Sequence, residues 1–319
     1  MNQVIPIFFA IDDNYAPFLG VALSSLIENA SKDNKYKIHV IYQELSEVNR
    51  RKIASLSREC FDIEFCKMKD TISELSVNVG LREIYQTITI YYRLFLPDMF
   101  PEYDKGIYID SDIIVPGDIS ELYNIDLEGN LIGAIADTST CNIPPFRLYM
   151  EEAIGIKPAE KYINSGVLLM DFKQLREVEL ANNFLRLYDK YHFDTVAPDQ
   201  DYINAMCHGK IKYLSDEWDA MPTVGKPLVK NPKLIHYNLT DKPWQYDNVQ
   251  YEEYFWNYAK KSEYYQEILK YKADYSQEKK DEDERETKEM LQASVNITNS
   301  SKPTFKKVYD SGEKVRLLA

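Results

Sequence analysis

The sequence KGIYIDSDIIVP, residues 105–116, combines a buried strand with a pair of aspartates. Asp110 and Asp112 interrupt an apolar run, and buried carboxylates are costly unless they are paired or bound to a metal. The pair therefore marks the C-terminal end of a strand over Ile107–Ile109, the edge at which open α/β sheets bind ligands. Two carboxylates this close can hold Mg²⁺ or Mn²⁺ and leave positions for substrate phosphates.

Composition limits the class of protein. With 319 residues, 45% of them hydrophobic, the chain can form one large domain or two closely packed ones. Its formal net charge of -13 argues against a nucleic-acid partner, because phosphate backbones are bound through basic patches. The sequence shows neither a membrane-spanning run nor a signal-peptide pattern, so a cytoplasmic location is expected. The four cysteines lack metal-site spacing and are expected to be reduced.

The chain before the acidic pair alternates between strands and helices. Hydrophobic periodicity predicts strands at Val4–Ile11, Ile38–Tyr42 and Phe61–Cys66, with helices at Leu19–Ile27 and Ser46–Leu56 between them. The first strand is not followed by G-x-G-x-x-G, which argues against a dinucleotide site of the NAD type. The fold class is therefore α/β, with a mostly parallel sheet flanked by helices.

The next segments place polar groups near strand ends. Thr87–Leu96 is predicted to be a helix stopped by Pro97, and its Arg93 is either a structural ion-pair partner or a ligand-binding cation. A strand over Leu131–Ala136 ends at Asp137. The small residues at 164–166 open a predicted strand, Tyr162–Met170, and would let a ligand lie close to the backbone.

Three further elements are predicted after that strand. Asp171–Tyr191 has the pattern of one amphipathic helix, and Ala197–Asn204 begins another with Asp199, Gln200 and Asp201 in its first turn. Acids at a helix N-terminus are common caps, but this group is larger than a cap requires. Leu234–Tyr237 is a late strand. It carries His236, which is either a core residue or a third metal ligand that favours Mn²⁺.

Composition changes after about residue 270. Residues 1–270 are predicted to form the catalytic domain, and 271–319 a charged helix and tail that is partly flexible. The tail mixes cations with apolar residues, so a weak contact with the inner face of a membrane, or with a partner, is the alternative to a free tail.

Four segments now stand in a fixed order: FFAIDDNY at 8–15, YIDSDIIV at 108–115, YINSGVLL at 162–169 with PDQD behind it, and HYNLTDKPW at 236–244. Together they resemble family 8 retaining glycosyltransferases, above all the bacterial lipooligosaccharide galactosyltransferase type. The resemblance covers about Val4–Trp244. It implies a GT-A nucleotide-sugar-binding fold, with a helical C-terminal extension beyond it, and a Mn²⁺-dependent enzyme, with Mg²⁺ as the alternative ion.

The resemblance also implies roles for single residues. Asp110, Asp112 and His236 would hold the metal, and Gln200 would lie nearest the anomeric carbon, with Asp199 and Asp137 beside the donor sugar. The remaining contacts to the nucleotide sugar would come from Ala10, Asp12, Asn14, Tyr15, Arg93, Asp110, Ser111, Asn164 and Lys242.

The implied reaction moves galactose or glucose from UDP-galactose or UDP-glucose to a glycan or glycolipid acceptor. One departure from the family pattern concerns the loop after the metal histidine. The family usually has a glycine two or three residues after it, and here the loop reads Asn238-Leu239-Thr240. A backbone contact to the diphosphate is expected to change there.

Other functions remain open from the residues. The 25 tyrosines suggest a self-glucosylating enzyme of the glycogenin kind, or a UDP-sugar-binding protein without turnover, although tyrosines this widespread also fit ordinary packing. A Mg²⁺-dependent phosphohydrolase with Asp110 as nucleophile is a further alternative. Such enzymes carry the motif on an early strand, whereas about a hundred residues precede it here.

Overall fold

A seven-stranded sheet lies at the centre of the molecule. The computed structural model describes residues 3–68, 88–223, 225–240 and 242–318. The strands of the sheet are β1 (Val4–Ile11), β2 (Lys35–Tyr42), β3 (Phe61–Lys67), β4 (Lys105–Ile109), β6 (Ile132–Ala134), β7 (Val167–Asp171) and β8 (Ile211–Tyr213). Their spatial order is β3-β2-β1-β4-β7-β6-β8. The short strands β5 (Ile113–Ile114) and β9 (Ile235–His236) pair with each other in a second sheet.

Helices flank the central sheet. They are α1 (Ala16–Asn29), α2 (Glu47–Ala54), α3 (Leu96–Met99), α4 (Ile119–Tyr123), α5 (Pro144–Tyr149), α6 (Phe172–Glu177), α7 (Leu180–Tyr191), α8 (Pro198–Cys207), α9 (Glu252–Ala259), α10 (Tyr265–Ala273), α11 (Gln277–Asn299) and α12 (Phe305–Asp310). Short 3₁₀ helices cover Ile88–Leu94, Ala159–Lys161 and Asp216–Trp218, and a π-helical turn covers Met150–Ile154.

The core lies on both faces of the sheet. Phe8 and Tyr108 belong to one apolar cluster, whereas their neighbours Ile7 and Ile107 belong to another. Successive side chains of a strand point to opposite faces, so this separation follows from the strand period of two. Strands buried on both faces are the continuous apolar runs that the sequence shows. The prediction of a mostly parallel sheet flanked by helices is confirmed.

Strand β7 runs against its neighbours. It pairs antiparallel with both β4 and β6, whereas β1 pairs parallel with β2 and with β4. The beginning of β7 therefore lies at the same edge as the end of β4. The N–H of Asp110 donates to the carbonyl of Gly166 at 2.8 Å and joins the two segments there.

Two predicted boundaries near this edge are wrong. Within the described part of Thr87–Leu96, which excludes Thr87, residues 88–94 form a 3₁₀ helix, and Pro97 opens α3 instead of stopping a helix. A proline fits the first turn because its missing N–H has no intrahelical partner there. The strand predicted over Tyr162–Met170 begins only at Val167.

The helix predicted over Asp171–Tyr191 is two helices. Val178 and Glu179 separate α6 from α7, and Glu179 has a φ of 55°, which an α-helix does not permit. Asp171 instead caps α6, because its side chain accepts a hydrogen bond from the N–H of Gln174.

The C-terminal helices pack on the rest of the chain. Ile297 of α11 and Phe305 of α12 are buried in the same apolar cluster as Phe146 of α5. The division at about residue 270 stays a prediction. Among the described residues, no helix combines the length and the apolar character that crossing a bilayer requires.

Candidate metal centre and active site

Asp110, Asp112 and His236 come together where the connection from β4 to β5 passes β9. Asp110 and Asp112 follow β4, and the antiparallel pairing of Ile113 with His236 brings the imidazole alongside. His236 Nε2 lies 3.4 Å from Asp112 Oδ1 and 3.9 Å from Asp110 Oδ2, and one ligand atom from each residue lies within 4.8 Å of the others. Two carboxylates and one imidazole around one point form a donor set that suits Mn²⁺.

A third carboxylate orients the imidazole. Asp219 Oδ1 lies 3.1 Å from His236 Nδ1, so Nε2 is the nitrogen that faces the two aspartates. Burial alone would lower the pKa of His236, but Asp219 and Asp112 outweigh burial and raise it to about 10. A carboxylate behind a ligating histidine fixes the ring and strengthens its donor nitrogen.

Sequence reasoning did not identify Asp219. It lies in an irregular connection, where the N–H of Ala220 donates to Leu234 and the N–H of His236 donates to Ala220. These backbone bonds, which no residue spacing reveals, bring Asp219 beside the imidazole.

Two observations fit an ion at this point. Asp219 Oδ2 is buried, and no residue in the described part of the chain gives it a hydrogen bond, which fits a site built around charge. A Cβ on Gly166 would lie 2.3 Å from His236 Cε1 and 2.8 Å from Asp110 Oδ2, so only glycine lets these two side chains approach. The donor set, the supporting carboxylate and the glycine together suit a divalent cation.

Arg93 connects the metal centre to α8. Its Nη2 lies 3.0 Å from Asp110 Oδ1, and its Nε lies 2.9 Å from Asp199 Oδ2. The guanidinium also lies over the Tyr108 ring at 4.3 Å and donates to the Ser165 carbonyl at 2.6 Å. Arg93 is thus an ion-pair partner that also lines the site, and its role as a ligand-binding cation stays a prediction.

Lys242 lies on the other side of the metal centre. Its Nζ contacts Asp112 Oδ2 and donates to the Tyr237 carbonyl at 2.6 Å. Burial would lower the pKa of Lys242, but Asp112 raises it. Burial would likewise raise the pKa of Asp112, but Lys242 and His236 hold it well below its usual range. Lysine and aspartate are therefore both charged.

Gln200 faces Asp137 across the cleft. Gln200 Nε2 donates to Asp137 Oδ2 at 3.0 Å, while Gln200 Oε1 accepts from the Ser165 N–H at 2.9 Å. Asn164 Oδ1 accepts from the Gly166 N–H at 2.8 Å. The glutamine amide is held at both ends and has a fixed orientation in the cleft.

Asp201 has a structural position instead. Its carboxylate is fully buried and accepts hydrogen bonds from the hydroxyls of Tyr149 and Tyr162 at 2.7 and 2.6 Å. Burial raises the pKa of Asp201 to about 6 against the effect of these donors. Of the two acids beside Gln200, only Asp199 lines the cleft.

Two cavities meet at the metal centre. The first cavity is lined by Ala10, Ile11, Asp12, Tyr15, Gln43, Glu44, Tyr92, Arg93, Tyr108, Asp110, Ser111 and Asp112. The second cavity contains Asp137, Asn164, Asp199, Gln200 and His236, and it shares Arg93, Asp110 and Asp112 with the first. A ligand bound at the metal centre can therefore extend into both cavities.

The sequence-predicted site residues fall into these cavities with two exceptions. Asn14 lines a separate small cavity beside Phe18 and Tyr271, although its Nδ2 donates to Asp12 at 3.2 Å. Lys242 borders the metal centre through Asp112 and lines neither cavity. Tyr15 is 38% exposed, so its ring is open to a planar ligand.

Comparison with known proteins identifies the family. The sequence model of glycosyl transferase family 8 matches residues 6–248, about three quarters of the chain. The chain belongs to glycosyltransferase family 8. The resemblance seen in the four sequence segments is confirmed. Because the chain belongs to this family, it is a glycosyltransferase.

Curated relatives of this family 8 chain come from several bacteria. General stress protein A of Bacillus subtilis (strain 168) is 25% identical over 277 residues, covering 80% of this chain and 93% of the relative. Lipopolysaccharide 1,2-glucosyltransferase of Escherichia coli (strain K12) is 23% identical over 272 residues, covering 78% of this chain and 77% of the relative.

Solved structures show the same architecture. Galactosyltransferase LgtC, in complex with donor and acceptor sugar analogues, is 28% identical with a TM-score of 0.63, covering 81% of this chain and 96% of LgtC. The bifunctional glycosyltransferase WbbM has a TM-score of 0.71 at 23% identity, covering 86% of this chain and 52% of WbbM. The family 8 chain has the GT-A fold.

Proposed function

We propose that this family 8 enzyme transfers galactose or glucose from UDP-galactose or UDP-glucose to a glycan or glycolipid, with retention of configuration and dependence on Mn²⁺. The observation that carries the proposal is the Asp110, Asp112 and His236 cluster, which lies where the two cavities meet. In this proposal the first cavity binds the UDP moiety and is called the nucleotide cavity, and the second, in which the sugar is transferred, is called the transfer cavity. Mg²⁺ is the alternative ion. LgtC, solved with donor and acceptor sugar analogues, supports a sugar donor and a sugar acceptor.

The charge balance explains why an ion is needed. The donor diphosphate is anionic, and the three acids Asp110, Asp112 and Asp219 already offset the cations Arg93, Lys242 and, in the absence of a metal, protonated His236, so no positive charge is left over for the phosphates. A bound divalent ion offsets the negative charge that develops on the departing UDP. In this proposal Lys242 turns from Asp112 to the diphosphate, and the partly exposed ring of Tyr15 stacks on the uracil.

The proposed transfer occurs on one face of the sugar. The bond between the anomeric carbon and the diphosphate oxygen breaks, and the acceptor hydroxyl oxygen bonds to the same carbon from the same side. The hydroxyl proton passes to the departing phosphate oxygen. Gln200, held by Asp137 and Ser165, supports the electron-poor carbon as a neutral dipole, since an amide is a poor nucleophile.

A donor panel tests the function. With Mn²⁺ and no acceptor, we expect slow UDP release from UDP-galactose or UDP-glucose, and faster release when a sugar acceptor is added. Chelation should stop both reactions, and Mg²⁺ should restore them less well. Failure of every UDP-sugar to give metal-dependent UDP release would reject the proposal.

A Gln200→Glu variant tests the mechanism. A carboxylate beside the anomeric carbon would form a covalent glycosyl-enzyme, which intact-protein mass measurement detects as one added hexose. We expect that adduct for the variant and not for the wild type. An adduct on the wild-type enzyme would exclude same-face attack.

Self-glucosylation is a weaker alternative. It would add whole hexose masses to the wild-type protein incubated with donor alone, which the same measurement would show. Among the described tyrosines, only the buried Tyr149 and Tyr162 line the transfer cavity. A cytoplasmic location and a membrane contact through the C-terminal tail stay predictions.

A further inference from the structure

The transfer cavity has an apolar side that the proposed chemistry does not use. Phe146, Met150, Leu239 and Met290 line this cavity together with Gln200, and none of them lines the nucleotide cavity. We call these four residues the apolar rim. It lies on the part of the cleft that remains for the acceptor once the nucleotide occupies the other cavity.

Leu239 has a costly conformation in this rim. Its φ of 58° lies in the left-handed region, where a side chain with a Cβ is strained and glycine is not. The side chain is also 49% exposed and belongs to neither apolar core cluster. Packing against the described residues therefore does not account for a leucine here, whereas an apolar ligand that covers it would.

Met290 reaches the cavity from a helix outside the family match. It belongs to α11, which lies beyond residue 248, where the family match ends. Asp283 Oδ2 accepts hydrogen bonds from the hydroxyls of Tyr246 and Tyr275, both at 2.7 Å, and holds the first half of α11. Ile297, buried in the core, holds the second half. Met290 lies between these two anchors.

We propose that the apolar rim binds an apolar substituent of the acceptor beside the hydroxyl that reacts, so that the preferred acceptor is an alkyl or aryl glycoside and not a free sugar. The proposal rests on the proposed function and specifies the acceptor class of that same site. Each methylene bound in an apolar pocket changes selectivity by roughly 10- to 200-fold. Leu239 and Met290 determine the selectivity.

The test compares matched acceptors. Galactose, glucose and lactose are each assayed beside their octyl and phenyl β-glycosides, with UDP release as the readout and the most active UDP-sugar as donor. We expect kcat/KM at least about 10-fold higher for a glycoside than for its free sugar. The octyl and phenyl arms distinguish a lipid chain from an aromatic group as the substituent.

Variants of the rim should remove this preference. Leu239→Gly relieves the strained backbone, and Met290→Ser shortens the helix side chain. Each should reduce the ratio of kcat/KM for a glycoside to kcat/KM for its free sugar to about threefold or less. The melting temperature of Leu239→Gly should stay the same or rise, which separates the effect from unfolding.

Two control variants make the same kinds of substitution at positions outside the cavity. Asn248→Gly relieves another left-handed residue, with φ of 60°, and Val295→Ser alters an exposed position of α11. Both should keep the wild-type ratio. Equal kcat/KM for glycosides and free sugars in the wild type would contradict the proposal that the apolar rim binds the acceptor. An unchanged ratio in both rim variants would contradict it too. Absence of UDP release without any acceptor would instead reject the underlying transferase function.

Discussion

Replacing Asp112 with alanine should lower turnover by at least about 10³-fold, equivalent to about 4 kcal/mol of lost transition-state stabilisation. Asp112 is the carboxylate that His236 Nε2 and Lys242 Nζ both approach. Its removal takes away a metal ligand and leaves a buried lysine, 6% exposed, without its counter-ion. UDP release with excess Mn²⁺ measures the loss.

The same variant should also lose stability. Breaking a buried ion pair on one side costs about 3–5 kcal/mol, because the remaining charge is uncompensated, so the melting temperature of Asp112→Ala should fall. Asp112→Asn is the control. It keeps the shape and the oxygen acceptor, so it should fold more stably than the alanine variant while still binding Mn²⁺ weakly. Turnover of Asp112→Ala that persists in the presence of a chelator would disprove a metal role for this aspartate.

The fold was predictable because burial leaves a direct trace in the sequence. Strands covered on both faces are continuous apolar runs, and Asp110 and Asp112 end such a run where water or an ion must meet them. The direction of β7 leaves no trace of this kind, since an apolar run looks the same in parallel and antiparallel strands. Only pairing with β4 shows that Asn164 to Gly166 lie beside Asp110.

The candidate site was partly predictable for a related reason. Asp199, Asp201 and Gln200 stand together in the sequence, but the residues that face them come from distant segments. Asp199 meets Arg93, whereas Asp201 meets two tyrosine hydroxyls and is buried. Spacing along one helix cannot separate a cleft carboxylate from a structural one. Burial and partners do so.

Gly166→Ala should weaken metal binding strongly without removing any ligand. The added Cβ would lie 2.3 Å from His236 Cε1, 2.8 Å from Asp110 Oδ2 and 3.0 Å from Asn164 Oδ1, distances at which the neighbours must move apart. Displaced or reoriented metal ligands typically lower affinity by about 10- to 100-fold, and here two ligands move together. We therefore expect Mn²⁺ affinity, measured by titration calorimetry, to fall by about 100-fold, with UDP release reduced in parallel.

Gly20→Ala is the matched control, since its Cβ would lie 2.5 Å from the Tyr264 ring, away from both cavities. That variant should melt at a lower temperature and bind Mn²⁺ as the wild type does, because its clash disturbs packing between α1 and Tyr264 alone. Wild-type Mn²⁺ affinity in Gly166→Ala would mean that binding of the ion does not depend on the close approach of Asp110 and His236 beside Gly166.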